Sequence, residues 1–176
     1  MIAKRTFYQQ PTRAVARQLL GCLLVRRIGR KVIRGVITEV EAYIGEQDLA
    51  CHAARGRTPR TEVMYGEAGH AYVYLVYGMY FCLNVVTEQK NFPAAVLIRG
   101  VSFEGVDYRK TNGPGKLCRF LQIDRTFNLH DLTQKDKLWI ELDQQSRRFK
   151  IKKSKRIGID YAKHCKDYPW RFTLES

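Results

Sequence analysis

The feature that most constrains this fold is an aromatic stretch near the middle of the chain, residues 70–86, HAYVYLVYGMYFCLNVV. Aromatic and β-branched residues lie on both sides of Gly78-Met79, and such residues favour strands. A Gly-X pair between two strand-like runs is typical of a tight two-residue hairpin turn. The stretch therefore predicts an antiparallel hairpin with Tyr77 beside the turn and with Tyr72 and Tyr74 on one face. Taken alone, the pattern fits a core hairpin as well as a functional one.

Charge is the next constraint. The chain has 31 Lys and Arg residues against 17 Asp and Glu, which gives a formal net charge of +14. Such an excess favours a polyanionic partner, with nucleic acid ahead of an anionic membrane surface. No apolar run approaches the roughly 20 residues of a membrane helix, and the start lacks the apolar stretch of a signal peptide. We expect a soluble intracellular protein without a membrane partner, cytoplasmic or nucleoid-associated in a bacterium and nuclear in a eukaryote.

Length and cysteine spacing further limit the possible architectures. With 176 residues the chain is long enough to bury an ordinary core, and we expect one domain over residues 1–176. The five cysteines form no CxxC pair and their number is odd, which favours reduced thiols over a disulfide framework or a zinc site. The four histidines show no metal-ligand spacing either, so we expect no metal.

A helix and two strands are predicted before the aromatic stretch. Pro11 suits the first position of a helix and Gly21 suits its end. Residues 22–28 and 32–44 are predicted as strands around a turn at 29–31.

The longer strand carries two acids. Strict alternation places Ile37, Glu39, Glu41 and Tyr43 on one face, opposite Val36, Thr38, Val40, Ala42 and Ile44. A solvated strand face is the usual explanation for exposed glutamates. Two aligned acids in so basic a chain, next to a tyrosine-rich strand, also fit the floor of a functional site.

Arg99 interrupts an apolar strand predicted over residues 94–101. A charge in such a strand is costly to bury unpaired. Arg99 should therefore meet a carboxylate or reach a cleft, and Glu39 and Glu41 are the natural candidates.

Two further features are suited to phosphates. Arg57, Thr58 and Arg60 lie in a loop whose guanidinium and hydroxyl groups could grip a phosphate backbone, although an exposed basic loop explains them as well. Lys116 lies at the glycine-rich start of a helix predicted from residue 112, where a phosphate could also bind. The spacing there is not that of a nucleotide-binding P-loop.

The last part of the chain is strand-like and basic. Residues 137–142 and 147–151 are predicted to pair as a hairpin, and residues 168–174 to form a closing strand. A solvated surface with diffuse attraction for DNA is the expected location of the basic cluster Arg147, Arg148, Lys150, Lys152, Lys153, Lys155 and Arg156.

Several of these blocks together resemble the motif series of the alkyladenine (3-methyladenine) DNA glycosylase family. The matching segments, in the family's order, are TEVEAY at 38–43, His52, RTPR at 57–60, YVYLVYGMYFCLN at 72–84, VLIR at 96–99 and GPGKLC at 113–118. Each block is modestly specific, and their combination is highly specific. The resemblance covers most of the chain from about Val15 to Ile123.

The resemblance implies a fold and an activity. It implies a single α+β domain with a curved antiparallel sheet, flanking helices and a protruding β-hairpin. It implies a monofunctional hydrolase, without metal or cofactor, that excises alkylated purines such as 3-methyladenine and 7-methylguanine, and deaminated or etheno purines, from duplex DNA to initiate base excision repair. We expect a monomer with damaged double-stranded DNA as its partner.

The resemblance also assigns roles to residues. Glu41 matches the acid that activates water, and Arg99 matches the arginine that helps to hold that water. Tyr77 matches the wedge that enters the duplex where the damaged nucleotide has left. The walls and floor of the base pocket correspond to Tyr43, His52, Tyr74 and Asn84. DNA-backbone contacts are expected from Arg57, Thr58, Arg60 and Lys116.

Two readings from other classes remain open. A non-catalytic nucleic-acid-binding module could use Tyr43, Tyr74 and Tyr77 as a stacking platform. That reading explains the charge and the aromatic residues but not the grouping of Glu39, Glu41 and Arg99. A phosphodiester nuclease would need several acids around a metal ion, and chelator resistance of the activity would argue against it.

Overall fold

The fold is built around the strand Lys31–Ile44. The structure, a computed structural model, describes residues 1–143 and 150–175. In chain order its helices and strands are α1 (Arg5–Tyr8), α2 (Thr12–Leu19), β1 (Leu23–Ile28), β2 (Lys31–Ile44), β3 (Ala71–Val76), β4 (Tyr80–Val86), β5 (Ala94–Ser102), α3 (Pro114–Phe120), β6 (Leu138–Glu141), β7 (Ile151–Ser154) and β8 (Arg171–Leu174). Short 3₁₀ helices, among them His52–Arg55 and Glu62–Tyr65, join several of these elements.

The strands of the described residues form one antiparallel sheet in the order β3-β4-β5-β2-β1-β6, to which β8 and β7 are added. One edge of β2 pairs with β5. The other edge is divided, because β1 pairs with Lys31–Val36 whereas β8 pairs with Glu39–Glu41. The sheet curls into a half-barrel. The predicted α+β class, with a curved antiparallel sheet, flanking helices and a protruding hairpin, is confirmed.

The apolar core lies between the sheet and the helices α2 and α3, which pack against β2 and against β4 and β5 respectively. Val15 and Leu19 of α2 are fully buried, as their spacing of one helical turn predicts. Leu117 supplies the matching contact from α3. Full burial of one such side chain contributes about 1.5–3 kcal/mol, so apolar packing is what holds the two helices on the sheet.

The aromatic stretch forms the predicted hairpin, but its turn lies one residue earlier than expected. The turn was expected at Gly78-Met79, whereas Tyr77 and Gly78 are its central residues, with φ of 51° and 67°. The N–H of Met79 donates to the carbonyl of Val76 at 3.2 Å. Positive φ at both central positions is the geometry of a type I′ turn, which suits hairpins but is uncommon for a tyrosine. As a result Tyr77 lies at the centre of the turn.

Two compensating irregularities in the β2–β5 ladder change the predicted faces of β2. Thr38 is an extra residue in β2 and Arg99 is an extra residue in β5, so the register shifts at Glu39 and is restored at Val40. Ile37 consequently lies in the core with Val40 and Ala42, and the prediction that Ile37 shares a face with the glutamates is wrong. A Cβ at Gly100, opposite the bulge, would lie 2.6 Å from the Tyr108 hydroxyl, so a larger residue there would displace the Tyr108 side chain.

The predicted hairpin between residues 137–142 and 147–151 falls partly outside the described residues, and the part that is described pairs elsewhere. β6 pairs with β1, and Ile151 pairs with Leu174 in β8. Proximity in the sequence favoured a hairpin. Instead, β8 pairs with the part of β2 that β1 leaves unpaired, and β7 pairs with β8. Residues 147–149, including Arg147 and Arg148 of the basic cluster, lie outside the described residues.

Candidate active site

Glu41 lies at the centre of a buried network. Its Oε2 atom accepts a hydrogen bond from the Tyr43 hydroxyl at 2.7 Å, and its Oε1 atom accepts one from the Ile157 N–H at 2.8 Å. The Nε atom of Arg99 lies 3.5 Å from Glu41 Oε1 and 2.9 Å from Glu39 Oε1. The expectation that Arg99 meets these two carboxylates is confirmed. The Glu41 side chain itself has no exposed surface.

In this network, burial and neighbouring charges shift the pKa values in opposite directions. Burial raises the pKa of Glu41, while Arg99, the Ile157 N–H and the Tyr43 hydroxyl lower it, and the net direction is upward. Burial lowers the pKa of Arg99, but the two carboxylates more than offset this, so Arg99 stays cationic. Glu39 is shared between Arg99 and Arg171, whose Nε atom lies 2.7 Å from Glu39 Oε1. Two guanidinium groups thus face two carboxylates.

A pocket of about 410 Å³ adjoins this network. It is lined by all four residues expected at the base site, together with Arg99, Arg60 and the wedge candidate Tyr77. Those four are Tyr43, His52, Tyr74 and Asn84. Since Tyr43 and Arg99 contact Glu41 on one side and line the pocket on the other, they separate the carboxylate from the open space.

Aromatic rings form one wall of the pocket. The ring of His52 lies edge-on to Tyr74 with 4.5 Å between the centroids, and its Nδ1 atom is 2.8 Å from the Tyr72 hydroxyl. Burial, with Arg60 and Arg55 nearby, lowers the pKa of His52 to about 4, so the imidazole is neutral at pH 7. Burial raises the pKa of Tyr72 to about 12. The wall is therefore uncharged, and its π faces suit a flat or cationic ligand.

Asn84 is held rigidly at the pocket surface. Its side-chain nitrogen donates to the carbonyl of Tyr72 at 3.1 Å and to that of Cys82 at 3.4 Å. The residue is buried, and it stands opposite Tyr72 in the β3–β4 ladder. Because two backbone carbonyls fix the amide, a ligand in the pocket meets it in one orientation.

The hairpin tip contrasts with this rigid wall. Tyr77 is 83% exposed and Met79 is 63% exposed. Large apolar groups held this far into solvent, on a turn with an unusual backbone for tyrosine, are typical of an interaction surface.

The four residues expected at the DNA backbone lie in different settings. Arg60 lines the pocket, with its guanidinium 5.4 Å from the centre of the Tyr74 ring. Arg57 forms an exposed ion pair with Glu62, with Nη2 2.6 Å from Oε1. Thr58 is hydrogen-bonded to Thr61 and, with Arg60 and Arg55, lines a second cavity of about 430 Å³.

Lys116, the fourth of these residues, is exposed on α3. Its Nζ atom donates to the Asn112 side chain at 3.1 Å. The structure therefore brings Arg60 to the pocket and Thr58 to the second cavity, whereas Arg57 and Lys116 line neither of these two cavities.

Sequence reasoning missed the contribution of the segment 156–161. Ile157, Gly158, Ile159 and Tyr161 line the pocket, and the Ile157 N–H reaches Glu41. Arg156 was expected on a solvated surface, but its side chain is fully buried against Asp48. The basic run that contains Arg156 did not indicate this burial, because the partner acid, Asp48, lies far away in the sequence. Tyr72 is also a pocket residue, and its position on the same face as Tyr74 was a usable signal.

No helix within residues 1–143 and 150–175 has the length and apolar character needed to cross a membrane. Across those same residues, no three or more His, Cys, Asp or Glu side chains are grouped so that they could hold a metal ion.

Comparisons with known proteins agree with this geometry. The model of the family described as methylpurine-DNA glycosylase matches residues 6–176. Three relatives carry the name "Putative 3-methyladenine DNA glycosylase". The protein from Clostridium acetobutylicum is 45% identical, over 97% of this chain and 93% of its own length. Those from Methanocella arvoryzae and Sodalis glossinidius are 47% and 48% identical, again over 97% of this chain and over 91% and 95% of their own lengths. The chain belongs to the methylpurine-DNA glycosylase family.

Proposed function

We propose that this chain is a monofunctional DNA glycosylase, a hydrolase that extrudes 3-methyladenine and 7-methylguanine from duplex DNA and cleaves their N-glycosidic bonds. Hypoxanthine and ethenoadenine are further candidate substrates. The proposal includes that the enzyme is an intracellular monomer, that residues 1–176 form one catalytic domain, and that the reaction needs no metal or cofactor. The resulting abasic site would enter base excision repair.

The observation that carries the proposal is the placement of Glu41. A buried carboxylate lies behind the wall of an aromatic pocket, and two of its contacts, Tyr43 and Arg99, line that pocket. A binding platform has no need for a desolvated acid with an upward-shifted pKa, whereas general-base catalysis does.

Extrusion is the first step that the geometry has to support. A purine within the stack is out of reach, and flipping it costs a few kcal/mol. Tyr77 at the exposed tip can enter the gap and stack on the neighbouring bases, which returns roughly 1–3 kcal/mol. Arg60 at the pocket, with Arg57, Thr58 and Lys116, would hold the backbone through phosphates.

Recognition follows from the neutral aromatic wall. A purine that carries positive charge after alkylation gains cation–π attraction from Tyr43 and Tyr74. The neutral His52 ring adds a stacking surface without the repulsion that an imidazolium would bring. Asn84, fixed by two backbone carbonyls, would crowd the exocyclic amino group of normal guanine.

Hydrolysis needs one base and one leaving group. The oxygen of a water molecule attacks C1′ and gives a proton to Glu41, while the N-glycosidic electron pair leaves with the purine. An ionised carboxylate accepts about four hydrogen bonds, so beyond those from Tyr43 and Ile157 it keeps acceptor capacity for this water, which has to reach it past Tyr43 and Arg99. Arg99 favours the ionised form and helps to hold the water. A cationic alkylpurine leaves as a neutral base and needs no acid.

The rival function is a non-catalytic DNA-binding module. It is tested by base release from duplex oligonucleotides that contain one hypoxanthine, ethenoadenine or undamaged purine, and from methylated DNA, in excess chelator, with alkali to cleave abasic sites. We expect damage-dependent release that resists the chelator. Tight, salt-sensitive binding without release on any lesion would contradict the proposal and favour the binding module.

A further inference from the structure

Outside the residues already given a role, the structure contains a fully buried ion pair between Asp48 and Arg156. Arg156 Nη1 lies 2.5 Å from Asp48 Oδ2, and Nη2 lies 2.8 Å from Oδ1, so the pair is bidentate. Neither side chain has more than 1% exposure. Burying two charges is costly, and such a pair is weak evidence for a purely stabilising role. Its position suggests another use.

The pair joins three segments that meet at the pocket. Arg156 also donates to the carbonyl of Ala42 at 2.9 Å and to that of Cys165 at 3.1 Å. Asp48 accepts the N–H groups of Ile44 and Ala50, which fixes the loop after β2. The pair therefore ties the end of β2 and the loop after it to the C-terminal segment.

The same guanidinium lies against the pocket wall. Its central carbon is 4.8 Å from the ring centre of Tyr43 and 5.1 Å from that of Trp170. Tyr43 is the residue whose hydroxyl donates to Glu41. The next residue after Arg156 is Ile157, whose N–H donates to the other oxygen of Glu41. Both hydrogen bonds to the carboxylate thus come from residues next to Arg156, one in contact with its guanidinium and one following it in the chain.

We propose that Asp48 and Arg156 are positioning residues that hold the Glu41 carboxylate in its reactive orientation through Tyr43 and the Ile157 N–H, and that keep residues 157–159 in place as a wall of the base pocket. This inference rests on the proposed glycosylase activity. Neither residue lines the pocket, so each acts through another group.

The pH dependence of excision reports on this arrangement. Loss of the Ile157 N–H removes a bond that stabilises the ionised carboxylate, so the pKa of Glu41 rises and the acidic limb of the rate profile moves to higher pH. The other titratable or charged groups around Glu41 are Glu39, Tyr43, Tyr74, Cys82, Arg99, Arg156 and Arg171.

The first test is Asp48→Asn in the full chain, assayed by single-turnover base release across pH. We expect the rate at neutral pH to fall roughly ten- to a hundredfold, as for a small misplacement of a reacting group, and the acidic limb to move upward. The matched control is Asp167→Asn, which removes an exposed pair with Lys155. It should leave both quantities unchanged. A folded Asp48→Asn protein with the wild-type rate and limb would overturn the inference.

A second variant keeps the test decisive if Asp48→Asn fails to fold. Ile157 is about half exposed, and Ile157→Pro removes its N–H while keeping both side chains of the buried pair, although the proline ring also restrains the backbone of Arg156. We expect this variant to move the acidic limb upward, whereas Ile157→Ala, which keeps the N–H, should not move it. An unmoved limb in Ile157→Pro would overturn the inference. Absence of damage-dependent release by the wild type would instead refute the proposed function.

Discussion

The hairpin tip around Tyr77 and the carboxylate network around Glu41 are opposite kinds of structure beside one pocket. Tyr77 is 83% exposed on an unusual turn, whereas Glu41 has no exposed side-chain surface and accepts two hydrogen bonds. The contrast follows from their proposed tasks. A wedge has to remain accessible until DNA arrives, whereas a general base has to be oriented before the substrate enters.

The comparison also predicts which quantities each region controls. Removal of the buried carboxylate should affect the chemical step and leave DNA binding intact. Removal of the exposed ring should affect binding and flipping and leave folding intact. If one of these substitutions affected the chemical step, DNA binding and folding equally, the two regions would not have separate tasks.

The largest effect is expected from Glu41→Gln. Without a base for the attacking water, single-turnover release should fall about a hundred- to ten-thousandfold, while binding to damaged duplex persists. Glu104→Gln, at an exposed position, is the matched control and should behave as the wild type. Retained excision by Glu41→Gln with intact binding would contradict the role of Glu41.

The melting temperature of Glu41→Gln distinguishes loss of catalysis from loss of folding. A carboxyl whose folded pKa is raised contributes most below its unfolded pKa, and that contribution is lost as pH rises through the folded pKa. At neutral pH the ionised Glu41 therefore costs stability. Glu41→Gln should melt at the same temperature as the wild type or higher, and a large drop would show that lost activity reflects unfolding.

A smaller effect is expected from Tyr77→Ser. Loss of stacking worth about 1–3 kcal/mol should weaken binding to damaged duplex about 5- to 150-fold and lower excision with it. The melting temperature should not change, because the ring is exposed. Leu129→Ser, at an exposed apolar position that borders neither cavity, is the control. Unchanged binding and excision in Tyr77→Ser would refute the wedge.

The pH profile of the wild type gives the next test. Because Glu41 has to be ionised, the rate should fall about tenfold per pH unit below its pKa, and this limb should lie above the value of about 4.3 for an exposed glutamate. His52, with a pKa of about 4, should not contribute a step near neutrality. Single-turnover rates from pH 4 to 9, in a buffer of constant ionic strength, measure the limb. A limb at or below 4.3 would contradict the upward shift.

The smallest effect separates two arginines of the basic loop. Arg60 lies at the pocket, whereas Arg57 is engaged by Glu62, so Arg60→Ala should reduce the slope of binding against salt concentration by about 1 and Arg57→Ala by less. Titrations of binding at several salt concentrations measure both slopes. Equal reductions of the slope in the two variants would show that the ion pair with Glu62 does not keep Arg57 from contacting DNA.

Local patterns predicted much of the fold and of the site. The hairpin, the helix after Pro11 and the pairing of Arg99 with two glutamates all follow from alternation, capping residues and the cost of an unpaired charge. The one-residue error at the turn arose because a tyrosine with positive φ is uncommon, so the glycine was expected first.

Long-range pairing was harder to predict. The bulges at Thr38 and Arg99 leave a trace in the three-residue spacings Ile37–Val40 and Ile98–Val101, which strict alternation does not allow. The Asp48–Arg156 pair leaves no such trace, because 108 residues separate its members and an arginine within a basic run normally faces water. The missed part of the site is therefore the part that depends on tertiary contacts.

The most direct test of the account compares Glu41→Gln with the wild type on one lesion duplex that the wild type cleaves, measuring equilibrium binding and single-turnover release on the same protein samples. We expect binding within a few-fold of the wild type and a loss of release of at least about a hundredfold. Release that stayed within a few-fold of the wild type would show that the buried carboxylate is not the general base.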